Sequence, residues 1–270
     1  MRIAPDQGFT LVELLVSMVL LGLVTGSVTA VAISAVRSAD RSRERAREEG
    51  MLRELAAVVE RELGDVVPGR DVAGFAAESV TYRAGRGSGY SCGVEGTTVV
   101  IRDADFRAWR LPDAARDSLL FLLPDDSASL SNWVVTPLLA APTRGHCRDG
   151  TPGLRLAVDP SLVTLASARD LPVRVVEWMR MRLYQSAGLW WVGAGSLRPS
   201  DVIQPIAGPL AARGLSFGWL DGSGNAAAPD GARLLELRLL AAPALTAGPG
   251  RVVAIDTFRV VIALRNGDAP

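Results

Sequence analysis

The sequence predicts an α+β protein in which one long N-terminal helix packs on an antiparallel sheet. Three observations carry that prediction. Residues 14–36 form an apolar run without a single charge. Leu52, Leu55, Val59 and Leu63, extended by Ala56 and Val66, make an apolar stripe at helical spacing. Beyond Pro68 the hydrophobic period changes to two, the period of strands.

The elements follow in order. At 1.5 Å per residue, residues 14–36 make a helix of about 35 Å, long enough to cross a bilayer core and too long for the apolar region of a secretory signal. A polar, arginine-rich stretch over 37–49 continues the helical pattern, and the stripe from Leu52 to Leu63 completes it. Residues 9–65 therefore read as one long helix, or as two joined near Gly50, with Gly64 and Pro68-Gly69 as stop signals. Gly22 and Gly26 have a spacing that lets helix backbones approach; it is equally the ordinary glycine content of a membrane helix.

Strands are predicted over 97–101, 118–123, 133–139 (interrupted by Pro137), 173–184, 189–192, 215–220, 234–240 and 252–264. In the 173–184 run Val175, Met179, Met181 and Leu183 share a face, and Ser186-Ala187-Gly188 turns it into a hairpin that carries Trp190 and Trp191 on opposite faces. In the last run Ala254, Phe258, Val260, Ile262 and Leu264 share a face. Segments 68–96, 140–152 and 193–205 read as loops. Asp221-Gly222-Ser223-Gly224-Asn225 reads as a turn, because it lacks the downstream Glu of a calcium loop.

Composition excludes several chemistries. All 29 basic residues are arginine, so no lysine is present for a phosphate loop or a Schiff base. His146 is the only histidine, which rules out a site of several histidines. It reads as a loop residue beside Cys147. The formal net charge of +0 gives no reason to expect a nucleic-acid partner. No catalytic constellation, metal site or cofactor is expected.

The most informative stretch is Gly8-Phe9-Thr10-Leu11-Val12-Glu13-Leu14. A short polar leader ends in Gly, Phe follows, and a carboxylate lies four residues past Phe within an apolar run. This resembles the processing motif of type IV prepilins and of the pseudopilins of type II secretion. The resemblance implies cleavage between Gly8 and Phe9 by a prepilin peptidase, N-methylation of Phe9, and retention of the helix. It also gives Glu13 a role. A carboxylate at membrane depth costs about 2.5–3.5 kcal/mol unless paired, and in the family its partner is the N-terminal amine of a neighbouring subunit. The alternative is a plain signal anchor, which leaves Gly8-Phe9 unexplained.

The implied organisation is a leader over 1–8, a transmembrane helix over 9–36, an amphipathic continuation over 37–66 and an exported β-rich domain over 67–270. Charge bias opposes that orientation: the leader carries only Arg2, whereas Arg37, Arg41, Arg43, Arg45 and Arg47 follow the apolar run. Cys92 and Cys147 form an even count in a domain the resemblance exports, which points to one disulfide; two free thiols are the alternative.

The domain is larger than in major pilins. The order of its features, the charged helix, the hairpin over 175–192, the 215–221 strand and the 234–240 strand, resembles the J-type minor pseudopilin of type II secretion. The W-type minor pilin of type IV pili has a similar order. The implied function is that of a minor filament subunit in the bacterial inner membrane, acting in initiation or tip assembly. Its implied partners are other minor pseudopilins or pilins, the prepilin peptidase and the inner-membrane assembly platform. The competing class is an exported enzyme or binding protein on a signal anchor.

Overall fold

The computed structural model describes residues 10–123, 132–159, 170–198, 201–242 and 257–264. The chain divides into two compact units, Met1–Gly50 and Met51–Pro270. Helix α1 (Leu11–Leu63) is continuous through Gly50, so the second helix considered at that point is absent. In the first unit the described side chains are exposed, apart from half-buried Glu44 and Glu48.

The second unit opens with the end of α1. Its predicted stripe is its buried face: Leu52, Leu55, Ala56, Val59 and Leu63 are all buried. The helix ends at Leu63, before Gly64, and Pro68 starts the single turn α2 (Pro68–Asp71), where its missing N–H costs nothing.

Thirteen antiparallel strands follow among the described residues. They are β1 (Val72–Ala76), β2 (Ser79–Glu95), β3 (Thr98–Arg102), β4 (Arg107–Ala108), β5 (Asp117–Leu123), β6 (Asn132–Pro137), β7 (Thr143–His146), β8 (Pro152–Ala157), β9 (Pro172–Ser186), β10 (Leu189–Ser196), β11 (Gln204–Leu220), β12 (Leu234–Ala241) and β13 (Thr257–Ala263). The main order is β13-β12-β11-β10-β9-β2-β3-β8-β7. On one side of β9, β10 pairs with its second half and β5 with its first half, so one long strand serves two partners. The β9–β10 turn consists of Ala187 (φ 50°) and Gly188 (φ 78°), the left-handed pair that a two-residue hairpin of this type needs.

Three segments expected as loops contain strands. The 68–96 segment holds β1 and the 17-residue β2, which lies at the centre of the sheet. Gly85, Gly87, Gly89 and Gly93 hide the alternation of β2. Two of these glycines are there because neighbours approach closely. A Cβ on Gly87 would lie 2.8 Å from the Ala108 methyl, and one on Gly89 would lie 2.8 Å from Cγ2 of Ile101. The 140–152 segment holds β7, whose last residue is His146. The 193–205 segment holds the end of β10, through Gly193 and Gly195, and the start of β11.

Phe258, Val260, Ile262 and Leu264 face the core together; Ala254 lies outside the described residues. Trp190 and Trp191 are both half-buried, so neither is the exposed tryptophan that opposite faces implied. Asp221 closes its turn by accepting the backbone N–H groups of Ser223 and Asn225 at 2.8 and 2.9 Å.

Among the described residues the buried apolar side chains form two clusters. The larger packs the α1 stripe against Val80 and Tyr82 of β2, Met181 and Leu183 of β9, and Leu235, Leu237 and Leu239 of β12. The smaller gathers Val99 and Ile101, Leu119 and Phe121, Leu154 and Leu156, and Val173 and Val175.

Candidate functional site

The N-terminal end of α1 is capped by its own sequence. Thr10 precedes the first helical residue, and Glu13 is the third residue inside. The Thr10 hydroxyl accepts from the Glu13 N–H at 3.3 Å, while the Thr10 N–H and hydroxyl donate to Oε2 of Glu13 at 3.4 and 3.3 Å. This reciprocal pair is a capping box, which satisfies helix-end donors without outside help. Gly8 and Phe9 lie outside the described residues.

The apolar segment that follows keeps its few polar groups satisfied internally. The hydroxyls of Ser17, Thr25, Ser27, Thr29 and Ser34 each donate to a carbonyl three or four residues back, the Ser17 bond to Glu13 being 2.7 Å. A hydrocarbon environment demands such bonds. Among the described residues α1 is the one helix long and apolar enough to cross a membrane. A Cβ added to Gly22 or Gly26 would meet nothing within 4 Å.

Cys92 on β2 and Cys147 after β7 are joined in a disulfide with a Cα–Cα distance of 5.7 Å, 55 residues apart in sequence. It fastens the β7–β8 edge to the long strand β2. With both sulfurs bonded, neither is available to form a dyad with exposed His146.

One constellation was not anticipated. Glu177 is a buried carboxylate on the face of β9 that carries Val173, Val175, Met181 and Leu183, so it separates the two cores. Opposite it, β2 has one extra residue: Gly85 pairs with Val176 and Gly87 with Val175, leaving Arg86 as a bulge. A bulge re-aims its side chain, and Arg86 Nε donates to Oε2 of Glu177 at 2.9 Å. Arg110 Nη2 donates to the same oxygen at 3.1 Å and grips fully buried Asp117 at 2.6 and 2.8 Å. Glu62 at the end of α1 joins through Arg86 and through the Tyr82 hydroxyl, which donates to it at 3.2 Å.

Burial alone raises the Glu177 carboxyl, but the Arg86 hydrogen bond, the neighbouring Ser196 hydroxyl, the charge of Arg86 and the Arg110 bond bring it below the usual range. Burial and the adjacent Glu62 charge push the Tyr82 phenol well up. Arg110, bonded to Asp117, holds its proton more tightly than usual. The sequence did offer a signal for this cluster: a carboxylate inside the apolar alternation of 173–183.

Comparison with known proteins adds one match. Residues 4–29 fit the model of the prokaryotic N-terminal methylation motif. No curated protein and no solved structure matches the chain. The matched stretch contains Gly8, Phe9, Thr10 and Glu13 and runs into the apolar half of α1. The chain thus carries a prokaryotic, prepilin-type N-terminal methylation motif at the head of a long helix whose first half is apolar, and an antiparallel sheet domain follows, an α+β arrangement consistent with a pilin-like fold.

Proposed function

We propose that the protein is a minor subunit of a pilus-like filament, the J-type minor pseudopilin of type II secretion, acting in filament initiation or tip assembly. The observation that carries this reading is the methylation motif at the head of a helix with the apolar length of a membrane span. In this reading prepilin peptidase cleaves between Gly8 and Phe9 and Phe9 is methylated. The helix stays in the inner membrane, and residues 67–270 lie outside the cytoplasm.

Glu13 then pairs with the Phe9 amine of a neighbouring subunit. The capping box suits it to this task, because Thr10 fixes its carboxylate at the helix start before any neighbour arrives. The role is structural, not catalytic.

The choice of the J-type rests on the order of elements: the β9–β10 hairpin, then the Leu215–Leu220 end of β11, then β12. The W-type minor pilin shares this order and is the second reading. Deleting the gene in the producing cell separates them. The J-type predicts loss of type II substrates from the medium with pili intact. Loss of pili with secretion intact assigns the W-type, and loss of neither overturns both.

A further inference from the structure

The second unit contains a pocket of about 580 Å³ beside the Glu177 cluster. Its walls are apolar at Val58, Met179, Ala194, Val202 and Ile206. Its charged lining is balanced: Arg61, Arg86 and Arg116 face Glu62, Glu177 and Asp201. Most of these charges are already engaged. Glu62 holds Arg86, Asp201 holds Arg116 at 3.5 Å, and Arg61 lies over the Trp109 ring at 5.2 Å.

One atom is left over. Among the described residues Oε1 of Glu177 has no donor at hydrogen-bonding distance, although the residue is only 4% exposed and the Ser196 hydroxyl, which also lines the pocket, neighbours the carboxylate. Arg116 Nη1 stands 3.9 Å from it, beyond hydrogen-bonding distance. A buried acceptor without a donor costs free energy, which an occupant with one donor recovers.

This lining selects against ions, since an added charge of either sign upsets an even balance. It favours an uncharged group with an apolar body and one donor. Tyr82 already shows the chemistry in the same cluster, where its hydroxyl bonds Glu62. The rim suits a protein partner: Val202 lines the pocket and is 74% exposed, as is Trp109 beside Arg61. Exposed aromatic and apolar groups around a concave site are where partner side chains anchor.

We propose that this pocket receives a tyrosine-type side chain of another filament subunit, whose hydroxyl donates to Oε1 of Glu177. The identity of the partner rests on the filament reading above; the pocket chemistry does not.

The full chain in nonionic detergent, carrying ¹³C-methyl methionine, tests the chemistry. Met179 lines the pocket, whereas Met181 is sealed in the core and serves as the internal control. p-Cresol is expected to shift the Met179 methyl and leave Met181 in place. 4-Methylanisole, which lacks the donor, should bind about ten-fold more weakly, and agmatine should cause no shift. Gln204→Trp, at an exposed lining position, should abolish the p-cresol effect. Equal binding of the two aromatics, stronger binding of agmatine, or no Met179 shift overturns the proposal.

In cells, a benzophenone amino acid at Val202 should crosslink to another subunit, and Gln204→Trp should remove that crosslink. A crosslink that survives Gln204→Trp overturns the partner's insertion. If p-cresol binds while the leader remains uncut, the filament reading fails and the pocket chemistry stands.

Discussion

Arg86 Nε donates to Oε2 of Glu177 at 2.9 Å, and that bond ties β2 to β9 where the two hydrophobic cores meet. The bond exists because β2 carries one residue too many at this point. Without the bulge Arg86 has no reason to turn toward β9. A charge placed between two cores is stable only while its partners remain, so the pair is vulnerable from either end.

Glu177→Ala should therefore destabilise the second unit by about 3 kcal/mol, because Arg86 and Arg110 lose a buried anion. Glu177 is held below its usual range in the fold by hydrogen bonds that outweigh burial. Its contribution is thus fully present above the unfolded glutamate value of about 4.3 and is lost as pH falls through the lower folded value. Thermal melts of the wild type and Glu177→Gln between pH 3 and 7 check this. The gap between the two curves should be widest near neutrality and close in acid. A gap that is constant with pH speaks against the ion pair.

Replacing Gly8 with a bulky residue should leave the leader attached. In the wild type, mass spectrometry of the native protein should find a chain that begins at N-methylated Phe9. A mature terminus after residue 30 would mean that the apolar helix is removed as a signal, and the filament reading would end there.

Glu13→Val should insert and be cleaved normally, because removing a carboxylate from membrane depth relieves a cost. It should nevertheless fail to enter filaments. The variant also breaks the Thr10 capping box, so Thr10→Ala serves as the control: it loses the cap, worth about 1 kcal/mol, but keeps the carboxylate. Crosslinking to neighbouring subunits should survive Thr10→Ala and collapse in Glu13→Val. Equal assembly by all three proteins removes the pairing role.

Protein isolated with its thiols blocked should show Cys92 and Cys147 already joined. The bond persists in an oxidising compartment and is reduced in the cytoplasm. The arginines from Arg37 to Arg47 favour the opposite orientation, so the result also decides topology. Free thiols at both positions, shielded from an impermeant label in spheroplasts, would place the domain inside.

Much of this architecture was legible because helices declare themselves by periodicity. The stripe from Leu52 to Leu63 is buried as its spacing required, and the hairpin around Ala187-Gly188 sits where the turn residues put it. β2 was not legible. Its glycines carry no side-chain pattern, and for Gly87 and Gly89 the reason, close approach by Ala108 and Ile101, comes from residues brought near only by the fold. Glu177 was half legible. It is a carboxylate within the apolar face of the 173–183 alternation, but its partners Arg86 and Arg110 lie 91 and 67 residues away and no local pattern links them.

The strands β2 and β9 each feed both cores: Val80 and Met181 lie in one, while Val94 and Val175 pack with the other. Neither core can melt without stripping a strand from its counterpart. The slowest-exchanging amides of the second unit should therefore cluster on β2 and β9, with similar opening free energies at both ends of each strand. A side chain removed from the smaller cluster, Leu119→Ala for example, should accelerate exchange around Met181 as well. Although it is assembled from two separate apolar clusters, the second unit should open as one body.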